Sequence, residues 1–139
     1  MADDDGELVG ACGFQILALT GTGVSERRMT RADKADMRER PILSNLVVLP
    51  PYRRRGVGTR LVGEVEARAF EWGFDEMVLK VEADNAAAIG FYQELGYSVE
   101  ARDAQAEKPC MSLFSRVRWE RTTLVCMRKR GLQPLVTST

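Results

Sequence analysis

The 139-residue sequence has no histidine, which removes every mechanism built on an imidazole: Ser/His/Asp and Cys/His nucleophilic sites, HExxH zinc proteases and Cys/His metal clusters. No metal centre is expected. Cysteine is scarce as well. Cys12, Cys110 and Cys126 are odd in number and widely spaced, which fits neither a disulfide framework nor a CxxC pair; they read as reduced thiols in a reducing intracellular compartment, the cytoplasm. Net charge is missing too, with 20 Lys and Arg against 20 Asp and Glu. A protein whose main work is to coat nucleic acid needs an excess of cations to neutralise phosphates, so no nucleic-acid partner is expected. A long apolar run is also absent. The uncharged stretch Leu8 to Ser25 is broken by Gly10, Gly13, Gly21 and Gly23 and preceded by Asp3, Asp4, Asp5 and Glu7, whereas a secretory signal starts positive and a spanning helix is unbroken. No membrane partner is expected. What remains, 45% hydrophobic and 29% charged residues without repeats, is the composition of one ordinary globular domain over residues 1–139.

Hydrophobic patterning predicts the elements. Glu7 to Leu19 reads as a strand bent or bulged near Gly13 and followed by a Gly/Thr turn. Ser25 to Arg40 is dense in charge of both signs and reads as an exposed loop or short solvated helix. Ile42 to Leu49 is an apolar, β-branched run closed by Pro50 and Pro51, the pattern of a buried strand. From Gly56 to Trp72, Leu61, Val62, Val65, Ala69 and Trp72 fall at helical spacing with Glu64, Glu66, Arg68 and Glu71 on the other side, and Gly73 is a C-terminal stop. Met77 to Ala83 alternates as a strand, Asp84 and Asn85 cap a helix from Ala86 to Leu95, and Gly96 closes it. Tyr97 to Arg102 is a further strand, and Met111 to Val117 with Thr122 to Arg128 make a final antiparallel pair. The fold class is α/β (α+β): a mixed, mostly antiparallel sheet with helices packed on it.

The most informative segment runs from Asn45 to Thr59, a buried strand passing through a turn into a helix. Gly56 and Gly58 let backbone amides approach a ligand, and the helix N-terminus adds its positive end. Arg53, Arg54 and Arg55 surround that point with positive charge, so the element is suited to a pyrophosphate. The bland alternative is a helix start with a solvated basic flank. The segment is not a P-loop, because no GK[ST] follows, nor a dinucleotide fingerprint, because the third glycine is missing.

A second element lies one strand later, Asn85 through Tyr92 and Gly96 to Tyr97. Together the two resemble the signature of the GNAT N-acetyltransferase superfamily: Arg-x-x-Gly-x-Gly after a strand, then Asn-x-x-Ala-x-x-x-Tyr-x-x-x-Gly-[Phe/Tyr]. The resemblance is close from Leu43 to Tyr97 and is nearest in flavour to protein N-terminal and lysine acetyltransferases, including plant and algal plastid members, which makes the plastid the alternative compartment. It implies acetyl-CoA as co-substrate and an amine acceptor, a peptide or protein. It implies that Leu46, Val47 and Val48 offer strand backbone to the pantetheine arm and the thioester, with the Val48 amide as oxyanion donor. Arg53, Arg54, Arg55, Gly56, Val57, Gly58 and Thr59 would wrap the pyrophosphate, and Asn85 would hydrogen-bond the cofactor. Tyr92 matches the tyrosine that protonates the departing thiolate. The bland reading of Tyr92 is a core aromatic on the face Ala88, Ile89, Tyr92, Leu95.

Two departures from the family pattern stand out. The N-terminal acetyltransferases carry a Glu five residues before the Asn, where this chain has Lys80. Glu82, two residues on and on the same strand face, is the substitute catalytic base, with a surface carboxylate as its bland reading. Relatives also begin with a strand and two helices forming part of the acceptor groove, and these are missing or shortened here, unless Ser25 to Arg40 supplies that wall. The alternative to an active acetyltransferase is therefore a catalytically impaired acyl-CoA-binding regulatory module.

Overall fold

The computed structural model describes residues 2–4, 7–22, 30–53, 56–111 and 117–134. Within them the strands are β1 (Ala2–Asp4), β2 (Glu7–Leu19), β3 (Arg38–Val48), β4 (Glu76–Glu82), β5 (Ser98–Met111) and β6 (Val117–Arg130), and the helices are α1 (Arg31–Asp36), α2 (Val57–Glu71) and α3 (Ala86–Glu94). The strands form one sheet in the order β1-β2-β3-β4-β6-β5. Every neighbouring pair is antiparallel except β3 and β4, which are parallel. The mixed, mostly antiparallel sheet expected from the sequence is the observed one.

The core lies on the face of the sheet that carries α2 and α3. Leu43, Met77, Leu79, Val125 and Met127 from the strands pack with Val62 and Ala69 of α2, Tyr92 of α3, and Tyr97 and Leu132. Strand alternation aims Met77 and Leu79 at one face, and the 3.6-residue repeat aims Val62 and Ala69 back at them. The helical spacing also assigned Trp72 to this core, but it is exposed at the end of α2, meeting Phe14 edge-on at 5.2 Å. Glu66, expected on the solvated side of α2, is buried. Its carboxylate accepts from the Tyr97 hydroxyl at 3.0 Å and from Lys129 Nζ at 3.1 Å, which satisfies the charge inside.

Charge density misplaced the start of β3. The strand begins at Arg38 instead of Ile42, because the long β2 pairs with its charged end through Leu19↔Arg38 and Leu17↔Arg40. Arg40 is wholly buried. Its Nε donates to the Leu19 carbonyl at 2.9 Å, Nη2 to the Asp36 carbonyl and carboxylate at 2.9 and 3.0 Å, and Nη1 to Glu76. Arg128 and Arg38 complete the cluster on Glu76 at 2.7 and 3.2 Å. The short solvated helix expected in Ser25 to Arg40 is present as α1, capped by a Thr30/Asp33 capping box, while residues 23–29 lie outside the described ones.

The last strands also differ from the reading of the sequence. Tyr97 to Arg102 is the start of one strand that continues to Met111, and β5 pairs along its length with β6. Its bulges, between Val99 and Ala101 and between Asp103 and Ala106, break the alternation that pattern reading depends on. The expected strand Met111 to Val117 falls largely on residues 112–116, outside the described ones.

Candidate functional site

The cleft originates in the sheet. β3 and β4 share register at Ile42↔Val78, and beyond that point toward their C-terminal ends no further pairing is recorded among the described residues. A bulge opens the gap: between Ala11 and Gly13 the β2–β3 register slips, and opposite it Asn45 takes φ 56°. Asn is among the few non-glycine residues that tolerate that left-handed conformation. The irregularity expected near Gly13 falls at this place, but its extra residue belongs to β3, at Asn45 and Leu46, and not to β2.

Into the opening falls a cleft of 990 Å³. Leu46, Val47 and Val48 form one wall, and Arg53, Gly56, Val57, Gly58 and Thr59 line the turn into α2. Asn85 and Tyr92 of the second motif line it from the α3 side. The two motifs, 40 residues apart at Asn45 and Asn85, thus meet on one cavity. Arg54 and Arg55 lie outside the described residues. Glu82, half-buried at the end of β4, is not among the residues that line the cleft. Asn45, Tyr52, Lys80 and Phe91 line it without having been singled out as cofactor contacts. Asn45 and Tyr52 flank or sit within the first motif, so the motif's span was a usable signal for them; Phe91 had none beyond its place beside Tyr92.

The polar groups of the cleft have definite orientations. The Leu49 N–H donates to the Val9 carbonyl at 2.8 Å, so by strand alternation the Val48 N–H faces the other way, toward the β4 side and the cleft. Arg53 Nε donates to the Val48 carbonyl at 3.0 Å, which ties the guanidinium to the end of β3. Gly56, at φ 76°, is the N-cap of α2, a conformation a Cβ disfavours. Gly58 has a different reason: a Cβ there would sit 3.3 Å from Phe91 Cζ, so the glycine lets α2 and α3 close together. The first-turn amides of α2 lack intrahelical acceptors, as at any helix start, and they line the cleft. Asn85 caps α3, its Oδ1 accepting from the Ala88 N–H at 3.1 Å, and its amide N–H groups make no recorded hydrogen bond among the described residues.

Tyr92 is at once core and cleft: buried, with its ring 5.1 Å from Phe91 and 5.6 Å from Tyr97. Burial, with a smaller contribution from Cys12, pushes its pKa up to about 12. The phenol therefore keeps its proton at any ordinary pH. Burial also pushes up the Cys12 and Cys126 thiols. Among the described residues the charged side chains lining the cleft are Arg53 and Lys80, with no carboxylate. Such a site is built for an anion with an extended apolar arm.

Residues 1–97 match the model of the acetyltransferase (GNAT) family. N-alpha-acetyltransferase 50 of Danio rerio is 36% identical over 70 residues, 50% of this chain and 42% of that protein. The chloroplastic GCN5-related N-acetyltransferase 7 of Arabidopsis thaliana is 36% identical over 64 residues, 46% of this chain and 23% of that one. Among solved structures, Chaetomium thermophilum Naa20 in complex with a bisubstrate analogue superposes with TM-score 0.68 at 24% identity, covering 94% of this chain and 64% of that one. The ribosomal-protein-alanine N-acetyltransferase of Brucella melitensis gives TM-score 0.63 at 22% identity, covering 93% and 65%. At such identity the likeness is one of fold. The chain spans less than two thirds of the length of each of these proteins.

Proposed function

This chain belongs to the acetyltransferase (GNAT) family, and from that premise we propose that it transfers the acetyl group of acetyl-CoA directly to a primary amine of a peptide or protein, preferring a terminal α-amine to a lysine. The observation that carries the reading is the convergence of both motifs on one cleft whose described charges are all positive. Arg53 and the amides of Val57, Gly58 and Thr59 hold the pyrophosphate, where a helix start and a guanidinium favour anions. The backbone edge of Leu46 to Val48, turned from β2, hydrogen-bonds the pantetheine amides as a missing strand would. The Val48 N–H stabilises the oxyanion.

Tyr92 faces the leaving sulfur. A phenol with a pKa of about 12 is a weaker acid than an ordinary thiol, at ~8.5. Its part is therefore to donate a hydrogen bond that stabilises the departing thiolate, whose final proton comes from water. Cys12 and Cys126, with their thiol pKa values raised, are poor nucleophiles, which favours direct transfer over an acyl-enzyme. Both are free thiols, consistent with a reducing compartment, cytoplasm or plastid. No helix among the described residues is long and apolar enough to cross a membrane.

The preference for α-amines follows from the missing carboxylate. An amine must lose its proton before it attacks, and with no carboxylate among the described residues that line the cleft an α-amine with pKa ~7.7–8.0 is better placed than a lysine at ~10.4. The same absence favours a second reading, an acyl-CoA-binding module with little turnover. Calorimetric titration of the purified chain separates these from error. Binding of acetyl-CoA that weakens as salt is raised, as phosphate contacts require, is expected under both readings. No binding would remove both.

A further inference from the structure

One of the residues that line the cleft is a lysine. This residue, Lys80, is exposed, while Leu79 and Val81 on either side turn into the core beneath α2 and α3. Alternation therefore sends Lys80 out of the opposite face, where β3 and β4 have separated. Its cross-strand neighbour on β6 is Cys126, a buried thiol with its pKa raised and hence no anion to hold an ammonium. No hydrogen bond or ion pair is recorded for the Lys80 side chain among the described residues. Every other lysine is placed differently. Lys34 is on the exposed α1 and Lys129 is bound to Glu66, and neither lines the cleft, while Lys108 belongs to the outer strand β5.

We propose that Lys80 is an acetylation site, modified in cis by donor bound in this cleft. The inference rests on the reading of the cleft as an acetyl-CoA site and adds an acceptor within the protein itself. Unprotonated Nζ attacks the thioester carbonyl carbon; the C–N bond forms and the C–S bond breaks with its electron pair on sulfur. The sulfur takes a proton and the amine surrenders its own to water. The balance is ammonium plus thioester giving N-acetyl-lysine, CoA thiol and one proton, with no oxidant or reductant. An amine fixed beside the thioester has an effective concentration reaching 10⁵–10⁸ M in the best-oriented cases, which offsets the small neutral fraction of a lysine at physiological pH. The product replaces a cation on the cleft wall by a neutral amide, and it forms once per chain.

The test incubates the full chain with acetyl-CoA carrying a deuterated acetyl group and no acceptor, then maps label at Lys34, Lys80, Lys108 and Lys129 by peptide mass spectrometry. The urea-unfolded chain supplies the chemical background, and calorimetry on the same sample reports donor binding. Lys80 is expected to label at least about tenfold faster than the other lysines in the folded chain, a conservative share of the proximity advantage. That excess should vanish on unfolding and under excess CoA, and K80R should lose the label without a gain elsewhere. Equal labelling of all four lysines with calorimetric binding intact overturns the inference and leaves the parent reading standing. Loss of calorimetric binding brings down both.

Discussion

Arg40 and Glu76 are the residues at which charge and burial part company. Counting charges along residues 25–40 sends Arg40 to solvent, yet beside the nearby Asp36 its partners are Glu76, 36 residues away, and the Leu19 carbonyl, 21 away. Nothing local announces such a pairing. Glu66 was misread for the same reason, since Tyr97 and Lys129 are remote in sequence. The cluster has a pH signature. Burial raises the Glu76 pKa, but the hydrogen bond and charge of Arg40, with Arg128 beside it, outweigh that and leave it below the usual carboxylate value. Its contribution is thus complete above the unfolded value of ~4.3 and is lost as pH falls through the lower folded value. Glu76→Gln strands a buried guanidinium, and urea unfolding at neutral pH should show a loss of about 3–5 kcal/mol. The gap between variant and wild type should narrow in acid, once Glu76 itself is protonated. A neutral-pH loss below about 1 kcal/mol, the level of a surface pair, would mean the cluster is solvated in solution.

At the scale of elements, what was legible came from residues whose chemistry acts locally. Asn85 stops and starts chain direction within four residues, and Gly56 marks the left-handed turn into α2, so both helices were readable to within a residue or so at each end. Gly13 marked where the β2–β3 register slips, but the extra residue lies across from it in β3, at Asn45 and Leu46. The long β5–β6 hairpin was not legible, because bulges in β5 disrupt the alternation and β6, its pairing partner, lies beyond a turn. Asn85 carries two expected jobs that two substitutions separate. Asn85→Ala removes the cap and should cost about 1 kcal/mol of stability, together with affinity for acetyl-CoA. Asn85→Asp keeps an oxygen for the Ala88 N–H and suits the helix start, so stability should hold. It replaces the amide donor by a carboxylate, so affinity should fall at least about tenfold, the loss of one good hydrogen bond. Equal affinity in the Asp variant would show that the side chain serves only the helix.

The whole molecule makes its cleft by failing to complete a sheet. β3 pairs with β2 on one side and parts from β4 on the other, and α2 and α3 close over that gap from the same face. The first motif supplies the strand and the turn into α2, and the second supplies Asn85 and Tyr92. This convergence was inferred from spacing and family resemblance, and the packing places both motifs on one cavity. The lack of a carboxylate among the described lining residues was half legible, in Lys80 standing where the family resemblance leads one to expect a Glu; that Glu82 is off the cleft lining was not, because strand alternation gives a face and not a reach. Acetyl transfer from this cleft is the central claim. The direct measurement follows CoA thiol release with peptides bearing free or blocked N-termini, in wild type and Tyr92→Phe. Release that requires a free α-amine and falls about 10²–10³-fold in the variant, the usual cost of one lost transition-state donor, is the expected result. Release that ignores the acceptor's free amine, or is unchanged by loss of the Tyr92 hydroxyl, would contradict it.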